Sequence, residues 1–309
     1  MADVIDAFNR WSIYQRERFP LLAHGLLIAA FSSSAIAFSA LLRGESHFPP
    51  IALLLAGFIS SLTIFLQLRI ADEFKDFEDD SKYRPYRPVQ RGIVRLGELR
   101  GLAIACAIVQ VLVALAVDVR LLGLLAIVWA YLGLMTAEFF VPNWLKARPI
   151  LYMISHMAIM PIIDLYISAF DWIPAHASAP AALSWFLLVS FCNGIVVEVG
   201  RKIRAPGDEE RGVETYTVLW GRRAAVGVWL AAIGVTACSA FGAAHAIDQV
   251  AQEAIGLGVV MASAGAAGIW FLAAPQTARA KTIEVISGVW TLAMYLGLGA
   301  VPMLVRSLR

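Results

Sequence analysis

Residues 99–142 read LRGLAIACAIVQVLVALAVDVRLLGLLAIVWAYLGLMTAEFFVP. Two apolar runs flank a short break, Val117-Asp118-Val119-Arg120. Each run has about the 20 residues that an α-helix needs to cross some 30 Å of hydrocarbon. Both are too long for barrel strands, and a backbone in lipid must satisfy its own hydrogen bonds, so both are read as helices. The short break makes them an antiparallel hairpin.

The same pattern extends in both directions. Nine candidate spans lie at 20–43, 50–71, 99–118, 120–142, 149–170, 181–203, 222–246, 253–274 and 283–305. A second tight turn, at Pro142-Asn143-Trp144, joins the fourth and fifth. The composition agrees: of 309 residues 60% are hydrophobic and 16% charged, with mean hydropathy +0.72. A soluble domain is roughly 45–50% apolar and about 25% charged. A cytosolic enzyme, a disordered chain, collagen and a disulfide scaffold are thereby excluded. The expected fold is an all-α integral membrane protein, one domain over 1–309 with a central cavity opening to the cytoplasmic side. Net charge is +2, too small to suggest nucleic acid. Cys106, Cys192 and Cys238 sit in apolar runs with no CxxC, which suggests packing. Residues 1–20 are polar and mixed in charge, unlike a signal peptide, and read as a cytoplasmic lead-in.

Positive charge sets the orientation. With nine spans and the N-terminus inside, 21 of the 25 Lys and Arg fall on the inner side; only Arg43, Arg120, Arg306 and Arg309 stay outside. The N-terminus is therefore expected in the cytoplasm and the C-terminus on the opposite face, in a bacterial inner membrane.

Acids crowd two of the inner loops. The first is Asp72-Glu73-Phe74-Lys75-Asp76-Phe77-Glu78-Asp79-Asp80. If the second span continues as a helix, Asp72, Asp76 and Asp80 recur every four residues on one face. Like charges so spaced repel unless a cation sits among them. Mg²⁺ suits them, because it takes oxygen ligands and is commonly shared between carboxylates and a substrate phosphate. Lys82, Arg84, Arg87 and Arg91 follow directly and suit an anionic phosphate ligand; contact with anionic membrane lipids also explains these cations, but not the acids among them. The second cluster runs from Glu198 through Arg201, Lys202, Arg204, Asp208, Glu209, Glu210 and Glu214 to Gly221, with Pro206-Gly207 expected to end the helix. Two such loops, four spans apart, suggest a site made from two related halves, 72–92 and 198–221.

These segments resemble the UbiA superfamily of intramembrane prenyltransferases. The first family motif, N/D-D-x-x-D-x-x-x-D followed by R-P-x-x-x-G, is matched by Asp72-Glu73, Asp76, Asp80 and Arg87-Pro88-Val89-Gln90-Arg91-Gly92. For the second, D-x-x-x-D-x-x-x-G-x-x-T/S, aligning Gly212, Thr215 and Gly221 puts Asp208 on the second acid. Two positions depart: Glu73 replaces Asp, and Arg204 stands where the first acid of the second motif belongs. Glu198 is the nearby carboxylate that stands in for it.

The resemblance implies a Mg²⁺-dependent enzyme that ionises an isoprenyl diphosphate within the membrane. It assigns Asp72, Asp76, Asp80, Glu198 and Asp208 to catalysis, and Asp72, Glu73, Asp76, Asp80 and Asp208 to metal. Lys82, Arg84, Arg87, Arg91, Arg201, Lys202 and Arg204 are assigned to the diphosphate. Transfer to a lipophilic or aromatic acceptor is the leading reading. A UbiA-type terpene cyclase without acceptor is the second, and a cation transporter the third. Glu138, His156 and Asp164 lie within the expected fourth and fifth spans, where ionisable groups are costly and face a cavity or a partner. His156 and Asp164, two turns apart, are candidates for an acceptor-side base. Trp129, Tyr131, Phe139, Tyr152 and Tyr166 are candidate walls of a cation pocket.

Overall fold

The computed structural model describes the backbone of residues 2–309, with side chains for all of these except 2–7, 251–253 and 255. The described chain is all-helical and has no strand. Its helices are α1 (Ala2–Arg18), α2 (Leu21–Leu42), α3 (Ile51–Lys75), α4 (Phe77–Tyr83), α5 (Leu96–Val117), α6 (Leu121–Thr136), α7 (Pro142–Lys146), α8 (Pro149–Met157), α9 (Ile159–Trp172), α10 (Leu183–Arg201), α11 (Tyr216–Trp220), α12 (Arg222–Ala246), α13 (Val250–Ala273), α14 (Thr277–Leu298) and α15 (Ala300–Ser307).

Among the described residues eight segments are long and apolar enough to cross a membrane: α2, α3, α5, α8 with α9, α10, α12, most of α13, and α14 with α15. The expected span at 120–142 is instead the 16-residue α6, about 24 Å long at 1.5 Å per residue. It stops because Glu138, Phe139 and Phe140 all take left-handed φ (47°, 52° and 61°), and Pro142 then starts a new helix. Three consecutive non-glycine residues in that region cost about 1–3 kcal/mol each. The expected last span also differs: α14 begins at Thr277, and Gly299 ends it. A Cβ at Gly299 would lie 2.4 Å from the Ser34 backbone, so glycine lets this bend pack on α2.

Packing centres on α2, α9, α10, α12 and α14. Phe31, Phe38, Tyr166, Phe170, Phe186, Trp229, Trp290 and Tyr295 are fully buried there. A polar ladder fastens α3, α5 and α6: Trp129 donates to Gln110 (2.7 Å), Gln110 to Gln67 (2.8 Å), and Gln67 to the Ala103 carbonyl (2.9 Å). Such interhelical bonds satisfy polar groups that lipid cannot. Cys106 and Cys192 are buried, Cys238 is exposed, and none is disulfide-bonded.

Contacts sort the loops to two ends. At one end Arg43 grips Asp171 with two bonds (2.9 and 3.0 Å), and Arg120 reaches the Ile173 carbonyl (2.6 Å). At the other end stand both acidic loops, the turn at 138–141, and α1. Arg10 of α1 is bound to Glu98 (2.8 Å) and to the Ile93 carbonyl (2.7 Å).

Candidate active site

α3 reaches the acid-rich end and stops at Asp76, whose backbone φ of −92° and ψ of 5° interrupts the helix before α4. The expected three-acid face is therefore not continuous. Asp80 is turned into a buried position between two arginines, Arg84 (3.2 Å) and Arg87. Burial, with Arg18 and Arg84 nearby, lowers the Arg87 guanidinium, and the Asp80 charge opposes that. Glu73 is fully buried and paired with Arg18 of α1 and with Arg69 (3.7 Å). Asp72 and Asp76 differ from these two. Asp72 forms an ion pair only with Arg69 (3.4 Å) among the described residues, with 41% of its side chain exposed. The Asp76 side chain accepts no hydrogen bond and makes no ion pair among the described residues.

The remaining cations of the first loop go to different places. Lys82 is exposed and sits 4.9 Å above the Tyr83 ring. Arg91 pairs with Glu17 of α1 (3.1 Å). Lys75, just inside α3, donates to the Tyr152 hydroxyl of α8 (2.8 Å). That hydroxyl lies 3.3 Å from Glu138, which is buried in the left-handed turn and 3.9 Å from Lys146.

In the second loop, Glu198 near the end of α10 binds Arg201 through Nε (2.7 Å) and Nη2, and Lys202 (2.9 Å). Lys202 also stands 5.5 Å over the ring of Tyr216. Burial, and then the Glu198 charge, push the Tyr216 phenol well above its ordinary range, so it remains a neutral donor. Arg204 is exposed; its backbone N–H is held by Thr217 (3.1 Å), and its side chain makes no ion pair among the described residues. Asp208 accepts from Thr277 at the start of α14 (2.9 Å), which ties this loop to α14 rather than to Glu198. Glu209, an acid of the second cluster with no role assigned from sequence, receives Thr215 (2.7 Å) and Thr217 (2.6 Å) and fixes the loop.

The two loops meet. Tyr86 donates to Glu210 (2.8 Å). Gly212, at φ +78°, lies so close beneath the Tyr83 ring that a Cβ there would be 2.4 Å from it. Asp72 and Arg201 are close enough for their charges to act on each other. The arrangement is one mouth bordered by both motifs. A recess of about 420 Å³ opens beside it between α3, α5 and α6, lined in part by Gln67, Phe74, Arg100, Leu132 and Thr136. Among the described residues no three His, Cys, Asp or Glu side chains form a ready metal cluster.

Residues 30–286 match the model of the UbiA prenyltransferase family. The chain belongs to that family. Its fold is similar to that of a UbiA homolog from Aeropyrum pernix K1, at TM-score 0.68 and 14% identity over 91% of this chain and 97% of that one. It is also similar to a structure of digeranylgeranylglyceryl phosphate synthase in membranes, at TM-score 0.56 and 14% identity over 94% and 99%. Among curated protein sequences none matches this one. Within this UbiA fold the site residues divide by contact. Glu73, Asp80, Arg84, Arg87 and Arg91 are engaged in ion pairs; Asp72 pairs with Arg69 alone and Asp76 with no group among the described residues, while Glu198 holds Arg201 and Lys202. Asp164 and His156 do not act as one face: the chain breaks at Ala158 between α8 and α9, and fully buried Asp164 lies by Ser190 and Tyr295 in the bundle interior.

Proposed function

We propose that this protein is a Mg²⁺-dependent prenyltransferase, which ionises an isoprenyl diphosphate at the joint mouth and passes the prenyl group to an acceptor. The observation that carries this reading is the contrast among the acids. Glu73 and Asp80 are consumed by arginines, while Asp72 pairs only with Arg69 and Asp76, one turn on, with no group among the described residues, and Asp72 lies within reach of the Arg201 charge from the other motif. Two carboxylates with open positions fit Mg²⁺, which usually completes its shell with water and substrate phosphate. When bound there, Mg²⁺ supplies charge that offsets the departing diphosphate.

The chain's own groups have separable tasks. Arg201, Lys202 and Arg204 meet the diphosphate; Glu198 aims the first two. Asp80 and Glu73 hold the arginines that shape the first loop. Asp208, through Thr277, and Glu209, through its threonines, set the second loop against the first. Arg204, standing where the family places an acid, supplies fixed positive charge in place of a metal-binding carboxylate. Arg204→Ala is expected to lower turnover about 10²-fold with folding intact, and Arg204→Asp to make the remaining activity more dependent on Mg²⁺ concentration. Turnover of both variants at the wild-type level removes Arg204 from the site.

The mouth is assigned to the cytoplasmic face on the charge asymmetry. In a variant lacking Cys106, Cys192 and Cys238, a membrane-impermeant thiol reagent applied to intact cells should miss Ser81→Cys and label Ser307→Cys. The opposite pattern inverts the orientation. The reaction itself is tested by giving the purified protein geranyl, farnesyl or geranylgeranyl diphosphate with Mg²⁺. Diphosphate release that requires an added acceptor supports transfer. A cyclic hydrocarbon formed without acceptor shows cyclase chemistry, and no consumption of any of the three leaves neither enzyme reading standing.

A further inference from the structure

The segment from Glu138 through α8 belongs to neither acidic motif, yet it places buried polar groups behind Lys75. His156 Nδ1 is 2.9 Å from the Tyr152 carbonyl oxygen, a contact that needs the ring proton on Nδ1. Nε2 is then a bare lone pair. It is buried and has no hydrogen-bond partner among the described residues. Glu138 is in the same condition: Oε1 receives the Tyr152 hydroxyl, while Oε2 is buried without a partner. Both unfilled atoms are acceptors, and a buried acceptor left unmatched is costly. The group that satisfies them is an O–H or N–H donor.

Tyr152 sets their separation. Its ring stacks on His156 with centroids 4.0 Å apart, and its hydroxyl touches Glu138, so the two acceptors are one tyrosine apart. The same hydroxyl takes the Lys75 proton donor at 2.8 Å, which joins the pair to the Asp72–Asp76 segment. His156 also lies within reach of the charges of Asp72 and Glu198, between the two half-sites. Phe139, 6.2 Å from His156 and 5.7 Å from Tyr131, sets an aromatic ring beside them. The left-handed run Glu138–Phe140 is what swings Glu138 and Phe139 inward, and strained backbone of this kind gathers at functional sites.

We infer that His156 Nε2 and Glu138 receive the O–H of the prenyl acceptor, so that the protein takes a hydroxyl-bearing acceptor and His156 removes its proton during transfer. This rests on the prenyl-transfer reading above. A lone pair of the acceptor oxygen forms the bond to C1 of the prenyl chain. The C1–O bond to diphosphate breaks, and its electrons leave with the diphosphate. The O–H proton moves to His156 Nε2 and from there to water, and the Glu138 carboxylate offsets the charge of the imidazolium.

The test uses the full-length protein in detergent with three matched pairs of probes: phenol, 2-naphthol and decanol, each beside its methyl ether. Binding is followed by tryptophan fluorescence. For at least one pair the alcohol should bind about tenfold or more tightly than the ether, as expected for a buried hydrogen bond. His156→Phe and, independently, Glu138→Gln should erase the preference while leaving the affinity for geranylgeranyl diphosphate with Mg²⁺ within about twofold, which also reports that each variant is folded. Equal binding of alcohol and ether in every pair, or a preference that survives in both variants, overturns the inference. Failure of geranylgeranyl diphosphate to bind the wild-type protein with Mg²⁺ overturns the prenyl-transfer reading instead, so the two failures are distinct.

Discussion

Asp76→Ala should abolish prenyl transfer, with a loss of about 10²–10³-fold or more, while the protein still folds in detergent. Asp76 interrupts α3 by its backbone, not by its side chain, which makes no hydrogen bond or ion pair among the described residues. Removing the carboxylate therefore breaks no internal contact, and stability should hardly change. What would be lost is the oxygen ligand proposed for Mg²⁺, and a charge contact that acts on a leaving group is worth about that factor. Asp76→Asn should retain some activity at raised Mg²⁺ concentration. Near-normal turnover of Asp76→Ala at saturating Mg²⁺ removes this residue from the metal site.

Asp80 should behave in the opposite way, although sequence spacing groups it with Asp76. It is buried and carries Arg84 and Arg87. Breaking a buried ion pair by removing one partner costs about 3–5 kcal/mol, because the other charges are left uncompensated. Asp80→Asn should thus lower the thermal midpoint and loosen the 84–92 loop. The Mg²⁺ concentration for half-activation should stay where it is. Adding Arg87→Leu to Asp80→Asn should restore part of the lost stability, since the stranded charge is then gone; this non-additivity is the mark of a direct pair. A shifted Mg²⁺ requirement with unchanged stability would instead return Asp80 to the metal.

The surroundings of these two acids show where the sequence is legible. Hydropathy alone marks out the helical membrane fold, because a 20-residue apolar run has few alternatives. The spacing of Asp72, Asp76 and Asp80, with Arg87-Pro88, marks the first motif. The Arg84 pair, four residues on, is a local pattern, but spacing does not reveal that Asp80 is buried and also held by Arg87, which reaches it only after the chain turns at Arg84-Pro85. Nor does it show that Glu73 is neutralised by Arg18, a residue 55 positions earlier. The end of α6 is not legible in the sequence because left-handed turns are usually announced by glycine or asparagine, and here they fall on Glu138, Phe139 and Phe140. The union of the half-sites rests on Tyr86 with Glu210 and Tyr83 over Gly212, contacts more than 120 residues apart that no local pattern encodes.

The proposed single Mg²⁺-dependent diphosphate site, shared by both motifs, is tested most directly by calorimetric titration of the purified protein with a thiolodiphosphate analogue of geranylgeranyl diphosphate, which binds without ionising. Binding to the wild-type protein should require Mg²⁺, and Asp76→Ala from the first motif and Arg201→Ala from the second should each weaken it about tenfold or more. Binding that persists without Mg²⁺, or that survives unchanged in either variant, would contradict a single site shared by the two loops.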